Sequence, residues 1–97
     1  MPRIQHLVLL ATLKRHYAEG LVVAVEILND GQGWTVCVHY DEKAHGKKTR
    51  FLTSYRKAGA RRFASLSRVW KILDGNGIEQ VVVRKASPEE ATHLSEL

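Results

Sequence analysis

Residues 21–40 read LVVAVEILNDGQGWTVCVHY, and the fold is decided in this stretch. Residues 21–28 form an almost continuous apolar run rich in β-branched side chains, and residues 34–40 alternate apolar with polar side chains. Both patterns are typical of β-strands. Between them, Asn29-Asp30-Gly31-Gln32-Gly33 supplies residues that tolerate the positive φ angles of tight turns. The stretch therefore predicts a β-hairpin.

The remaining elements follow from apolar spacing and from helix-capping residues on either side of the hairpin. They are a helix over residues 3–18, a strand over 50–55, a helix between Ser65 and Gly75, and a strand over 79–85. The order α-β-β-β-α-β predicts an α+β fold. We expect a small antiparallel or mixed sheet of about four strands with helices on one face.

The length of 97 residues predicts one domain, because a chain this short cannot bury two independent cores. We assign residues 1–86 to a single α+β domain. Residues 87–97 are expected to form a weakly docked C-terminal tail or a short helix. Ser87-Pro88-Glu89-Glu90 has the spacing of a helix capping box, with proline at the first helical position.

Cysteine use and hydropathy indicate a soluble, cytoplasmic protein. Cys37 is the single cysteine, which excludes an intramolecular disulfide and favours a reducing compartment. The apolar run at residues 7–10 is followed at once by Lys14-Arg15-His16, without a small-residue cleavage site, so we predict a helix there and no signal peptide. No apolar stretch reaches the roughly 18 residues that a membrane span needs.

The positive charge is concentrated in residues 43–73, called the basic segment below. The segment holds ten lysines and arginines and no acid, whereas the rest of the chain holds five cations and ten acids. The net charge of +5 thus combines a segment at +10 with a remainder at −5. Such a surface attracts a phosphate backbone, and arginine matches phosphate oxygens and guanine edges. We predict a nucleic-acid partner, with DNA favoured over RNA; a solvated basic face without a specific partner is the alternative.

Residues 55–63, YRKAGARRF, are the part of the basic segment that we expect to contact nucleic acid most closely. A glycine-containing turn presents four cations, and its small residues let a backbone approach phosphates. Tyr55 and Phe63 are expected to anchor this arm or to stack on a base, with core packing as the alternative. The predicted nucleic-acid-binding residues are Lys43, Lys47, Lys48, Arg50, Tyr55, Arg56, Lys57, Arg61, Arg62, Arg68 and Lys71.

One family resemblance adds to this interpretation. Residues 61–66, RRFASL, followed by Val69, Leu73 and Gly77-Ile78, resemble a segment of small plasmid-encoded, partition-associated proteins. The resembling features are a basic pair, a packed phenylalanine, a serine cap and an amphipathic helix that ends at Gly-Ile. They cover about a third of the chain. The resemblance implies an accessory role in plasmid maintenance and assigns no catalytic residues.

No pattern of catalysis or of metal or cofactor binding is present in the sequence. The five histidines include no pair at the i, i+4 spacing with an intervening acid that marks a helical zinc site. Cys37 and His39 share one strand face, where we interpret them as sheet surface or core rather than as a nucleophile pair. Phosphate loops, nucleophile elbows and paired carboxylates are absent too. We predict no catalytic residue, no metal and no cofactor.

Three functions are compatible with these features. The first is a non-enzymatic DNA-binding accessory or regulatory protein that uses the basic segment on phosphates. The second is a protein-interaction adaptor whose basic face meets an acidic partner protein. The third is a small ribonuclease toxin that uses arginine, lysine, histidine and tyrosine in place of carboxylates.

The first predicted helix has two apolar sectors. Ile4, Leu7, Val8 and Ala11 are expected to cover the sheet, since their spacing follows one side of the helix. The other sector would then be exposed, and such a patch is most simply buried in a twofold homodimer. The predicted dimer interface is Leu9, Leu10, Leu13 and Tyr17. The alternatives are burial by the chain's own sheet and tail, or a strand over part of residues 4–11.

Overall fold

The computed structural model describes residues 7–56 and 59–97, and within these it has five strands and three helices. In chain order they are β1 (Leu7–Leu9), α1 (Leu10–Ala18), β2 (Val22–Asn29), β3 (Trp34–Tyr40), β4 (Thr49–Thr53), α2 (Leu66–Gly75), β5 (Val82–Lys85) and α3 (Pro88–Glu96). The α+β class and the predicted order are confirmed. A first strand is added to them, and the short helix that was one of the two expectations for residues 87–97 is present as α3.

The five strands form one mixed sheet in the order β1-β4-β3-β2-β5. β2, β3 and β4 are antiparallel neighbours, whereas β1 lies parallel to β4 and β5 lies parallel to β2. The predicted hairpin is confirmed, with Asn29 opposite Trp34. Its turn is held by the Asn29 side chain, whose Oδ1 accepts the Gly31 N–H at 2.9 Å, and Gly31 takes a φ of 88°.

The main core lies between one face of the sheet and the helices α1 and α2. Leu13 of α1 and Val69 and Leu73 of α2 are buried there. The sheet contributes alternate residues of its strands, as a half-covered antiparallel sheet does. They include Val8, Val25, Ile27, Val36, Val38, Tyr40 and Leu52.

Helix α2 begins and ends where its capping residues predict. The Ser65 hydroxyl accepts the Arg68 backbone N–H at 3.2 Å, which satisfies one of the first-turn donors. At the other end Gly77 takes a φ of 79°, and the Ile78 N–H donates to the Leu73 carbonyl at 3.1 Å. Both ends of the helix are thus capped, and the helix packs beside β3.

The two helices of the predicted order, α1 and α2, share one face of the sheet as expected, and α3 packs on the opposite face. Leu94 of α3 is buried against Leu28, Cys37 and Phe51. The predicted capping box is confirmed: the Ser87 hydroxyl accepts the Glu90 N–H, and the Glu90 carboxylate accepts the Ser87 N–H. Residues 88–96 therefore form a complete helix that packs over the second face.

The prediction of a helix over residues 3–18 is wrong at Leu7–Leu9, which form β1, while residues 3–6 lie outside the described residues. The apolar run fits either element, because a short run has no distinguishing period. The edge of β4 decides, since it offers backbone partners in parallel register, with Val8 beside Leu52. Helix α1 accordingly begins at Leu10.

This shift turns the helix and removes the exposed patch from which a homodimer was predicted. Leu13 is 0% exposed, and Leu10 and Tyr17 pack against the main core. Ala11, which was expected to cover the sheet, is exposed instead. The alternative of burial by the chain's own sheet is what the structure shows for these helix residues.

None of the helices within the described ranges has both the length and the apolar character that crossing a bilayer requires.

Candidate nucleic-acid interface

The structure divides the predicted binding residues between the two ends of β4. Residues 41–48 precede this five-residue strand and residues 54–62 follow it, so the two groups are roughly 16 Å apart along the strand. Lys43, Lys47, Lys48 and Arg50 lie at the first end, and Tyr55, Arg56, Arg61 and Arg62 at the second. Arg68 and Lys71 are exposed on α2, and Lys57 lies outside the described residues.

A cavity of about 670 Å³, called the arm cavity below, lies at the second end. The carboxyl ends of the parallel strands β1 and β4 meet there, a place where open sheets commonly bind ligands. Helix α1 also begins there, and the side chain of its N-cap residue Leu9 makes no capping hydrogen bond. The first-turn N–H groups therefore add partial positive charge. The lining residues are Leu9, Leu10, Ala11, Thr53, Ser54, Tyr55, Arg56, Ala60, Arg61 and Arg62.

Two hydrogen bonds to main-chain carbonyls fold the arm back onto β4. The Arg61 N–H donates to the Leu52 carbonyl at 2.6 Å, and the Thr53 hydroxyl donates to the Gly59 carbonyl at 2.6 Å. Gly59 takes a φ of 83°, which its lack of a side chain permits. Residues 59–63 of the arm thus lie beside the sheet rather than projecting from it.

The two aromatic residues of the arm have different environments. Phe63 is buried in the main core and pairs with Trp34 through its backbone, so core packing is its role. The Arg61 guanidinium lies 4.6 Å from the centre of the Phe63 ring. Tyr55, in contrast, is 89% exposed and borders the arm cavity. Of the two, only Tyr55 is available to stack on a base.

Arg62 connects the arm to the hairpin turn. Its Nε donates to Asp30 Oδ2 at 2.9 Å, and the Asp30 side chain is nearly buried. This ion pair holds the arm against the β2–β3 turn. Of the nine described cations in the basic segment, Arg62 alone has a carboxylate within 4 Å.

At the first end of β4, two of the predicted binding residues hold the loop itself. Arg50 Nε donates to the Lys47 carbonyl at 2.8 Å, a second nitrogen donates to the His45 carbonyl, and the guanidinium stacks 4.0 Å from the Tyr40 ring centre. Lys48 Nζ donates to the carbonyls of Glu42 and Ala44. Lys43 and Lys47 remain the exposed side chains of this group.

A polar cluster that the sequence did not predict lies on the sheet face covered by α3. Arg84 is at its centre: Nε donates to Glu26 Oε2 at 2.6 Å, and both terminal nitrogens donate to the Glu90 carboxylate at 2.6 and 2.7 Å. These bonds hold the pKa of Glu90 at about 2 and lower the pKa of Glu26. They also raise the pKa of Arg84.

Of this cluster, only Glu26 can be placed from the sequence, through the register of the predicted hairpin. In the hairpin, the pairing of Asn29 with Trp34 dictates that Glu26 lies opposite Cys37, with His39 two residues further on. Its carboxylate Oε1 lies 2.5 Å from His39 Nε2. Arg84 and Glu90 carry no such signal, because nothing local relates them to the hairpin.

The Cys37–His39 pair is poorly arranged for nucleophilic catalysis. Burial, followed by the charges of Glu26 and Glu90, raises the pKa of Cys37 to about 12. Both the Cys37 sulfur, at 3.7 Å, and the Glu26 carboxylate approach the same nitrogen, His39 Nε2. An ionised carboxylate only accepts, so this nitrogen carries a proton and cannot take one from the thiol. In a catalytic triad, one ring nitrogen accepts the proton of the nucleophile and the other donates to the carboxylate, whereas here both groups face the same nitrogen.

Comparisons with protein-family models, with curated proteins and with solved structures found no match to this chain.

Proposed function

We propose that this protein binds nucleic acid without transforming it, as a DNA-binding accessory or regulatory protein that uses the arm cavity. The observation that carries the proposal is the lack of carboxylate partners around the basic segment: eight of its nine described cations have none within 4 Å. Because these lysines and arginines are not paired with carboxylates of the protein, their charges are available to neutralise the phosphates of a nucleic acid, which releases condensed counterions.

The arm cavity offers two kinds of contact. Arg56 and Arg61 border it with side chains that suit phosphate oxygens, and the uncapped first turn of α1 adds backbone donors. Tyr55 offers an exposed ring on which an unpaired base can stack. The combination suits single-stranded or locally opened DNA, since a base within an intact duplex has no free face.

The test is a charge-matched comparison of two double variants. Arg56→Gln with Arg61→Gln removes two cations from the arm cavity, and Lys14→Gln with Lys85→Gln removes two exposed cations outside the basic segment. Glutamine keeps most of the side-chain stem, so Phe63 stays covered. Affinity for a fluorescent oligonucleotide is measured by anisotropy over a range of salt concentrations.

We expect the arm variant to bind more weakly and its log–log salt slope to be flatter by about 1.4 to 1.8, the value for two phosphate contacts. The control variant is expected to keep a slope near that of the unmodified protein. An equal loss of affinity in both variants would mean that binding depends only on net charge, and it would overturn the arm cavity as the site.

The anisotropy titration with DNA tests the adaptor function, and incubation with a labelled RNA tests the ribonuclease function. An adaptor for an acidic protein partner gives no salt-dependent DNA binding, and a ribonuclease shortens a labelled RNA during incubation. The resemblance of residues 61–78 to partition-associated proteins makes plasmid DNA the natural oligonucleotide source to test first.

A further inference from the structure

Three side chains with metal-binding atoms converge on the sheet face that carries α3. They are Glu26 of β2 and Cys37 and His39 of β3, and their Oε1, Sγ and Nε2 atoms lie within 4.8 Å of one another. The hairpin register causes this convergence, because Glu26 is directly opposite Cys37 and a strand returns to the same face after two residues. A rigid antiparallel pair thus positions all three donors.

The donors match the ligands that zinc prefers, which are thiolate sulfur, imidazole nitrogen and carboxylate oxygen. Zinc bond lengths imply separations of about 3.6 Å between sulfur and nitrogen and about 3.4 Å between nitrogen and oxygen in a tetrahedral site. The sulfur-to-nitrogen distance is 3.7 Å, and the nitrogen-to-oxygen distance is 2.5 Å. The sulfur-to-nitrogen separation thus already fits, and the nitrogen-to-oxygen separation has to lengthen by about 1 Å.

We propose that Glu26, Cys37 and His39 bind one zinc-like divalent cation, with water in the fourth position. The His39 side chain is 34% exposed, so an ion and its water have access from that side, while Cys37 closes the other. Three protein ligands and one open position form a common zinc arrangement.

Arg84 supports the site from outside it. The guanidinium Nε donates to Glu26 Oε2 at 2.6 Å and Nη2 donates to Oε1 at 3.2 Å, while Oε1 also lies 2.5 Å from His39 Nε2. A carboxylate has enough lone pairs to accept Arg84 and bind a cation together, and hydrogen-bonded carboxylates are usual around bound metals. With Arg84 and Glu90 included, a divalent ion on a thiolate and a carboxylate gives a cluster without net charge.

Binding releases one proton for each ion. The Cys37 thiol loses its proton to solvent when the sulfur-to-metal bond forms. His39 binds the ion through the lone pair of Nε2, so the proton on that nitrogen passes to Nδ1 through solvent.

The experiment is a titration of the purified, chelator-treated protein with Co²⁺ and then Zn²⁺, followed by absorption spectroscopy. We expect one equivalent of Co²⁺ to give the visible bands of a tetrahedral ion and a near-ultraviolet sulfur-to-cobalt band, both lost when Zn²⁺ is added. Cys37 is the only cysteine, so that sulfur band has one possible source. Absence of the sulfur band overturns the proposal.

Variants test the other ligands. His39→Ala and Glu26→Gln are expected to weaken Co²⁺ binding by at least about tenfold, whereas His45→Ala, which changes an exposed histidine elsewhere, is expected to leave it unchanged. Should a ligand variant fail to fold, the sulfur band of the unmodified protein still decides. Undiminished binding in a folded His39→Ala would overturn this ligand set. The proposal is independent of nucleic-acid binding, because neither test uses the other's residues.

Discussion

At the scale of single residues, Tyr55 and Phe63 show where sequence reasoning stops. Both flank the same basic stretch and both are aromatic, so the sequence left anchoring, stacking and core packing open for each. The structure separates them because Phe63 pairs with Trp34 at the start of β3, whereas Tyr55 follows the end of β4 without a partner strand.

Replacing Tyr55 by alanine is expected to weaken binding to single-stranded DNA by about 1 to 3 kcal/mol, the contribution of one stacked base. Tyr55→Phe keeps the ring and is expected to retain most of the affinity. Because Tyr55 is so exposed, thermal stability should be unchanged in both. Fluorescence anisotropy with single-stranded and duplex probes measures the effect, and an equal loss in the two variants would contradict stacking.

Leu13 is the residue whose role changed most between sequence and structure. Leu13→Ala is expected to destabilise the protein by about 2 to 5 kcal/mol, because it leaves a cavity in the main core. Val23→Ala, at an exposed β2 position, is expected to cost under about 1 kcal/mol. Urea unfolding measures both, and a small loss at Leu13 would contradict its burial.

At the scale of elements, the signals that predicted α2, α3 and the hairpin were local ones. Ser65, Ser87 with Glu90, and the turn after Asn29 each act within a few residues, so the sequence alone contains them. The strand β1 has no local signal. It exists because β4 lies beside it, and a partner 44 residues away is not visible in a short window.

The start of α3 predicts a dependence of stability on pH. Arg84 lowers the pKa of Glu90 from its ordinary 4.5 to about 2, so the ion pair stabilises the fold above about pH 4.5, and that contribution is lost as the pH falls towards 2. Glu90→Gln keeps the capping pattern but removes the charge. We expect it to be about 1 to 2 kcal/mol less stable at pH 7, allowing for solvent screening.

Urea unfolding of both proteins at a series of pH values, with a chelator present, measures this difference. The deficit of Glu90→Gln should shrink steadily below about pH 4.5. A deficit of the same size at every pH would mean that Arg84 does not act through the charge of Glu90.

Gly33 is the turn position where a side chain is least acceptable. It takes a φ of 147°, and an added Cβ would lie 3.0 Å from the Phe63 carbonyl oxygen. Gly33→Ala is therefore expected to destabilise the protein by about 1 to 3 kcal/mol. Gly75→Ala, at the end of α2 with no atom near the added carbon, is expected to be neutral or slightly stabilising. Thermal denaturation compares the two.

At the scale of the whole molecule, part of the exposed apolar surface lies on β5, outside the basic segment. β5 is one of the two edge strands of the sheet, and its Val82 and Val83 are 56% and 44% exposed. An exposed apolar edge strand readily pairs with other chains. Val82→Lys is expected to reduce turbidity on heating, with little change in the unfolding midpoint. A control at an exposed helix position, Ala11→Lys, should not reduce it.

The division of the basic segment between two ends of β4 is also a property of the whole molecule. Composition predicted the excess of positive charge, but a linear segment says nothing about which cations meet in space. The direction of β4 separates Lys43 and Lys47 from Arg56 and Arg61, and backbone carbonyls occupy Arg50 and Lys48. The positions of these cations are set by the packing of the whole sheet, so the linear sequence does not reveal them.

The two parallel strand pairs have a consequence for the order of folding. The β2–β3 hairpin closes a loop of a few residues, whereas pairing Leu7 with Phe51 or Glu26 with Val82 brings together distant parts of the chain, at a larger entropic cost. We expect the hairpin to form early and β1 and β5 to join late. The arm cavity lies where β1 meets β4, so it would take shape in the last steps of folding and be the first region to open under stress.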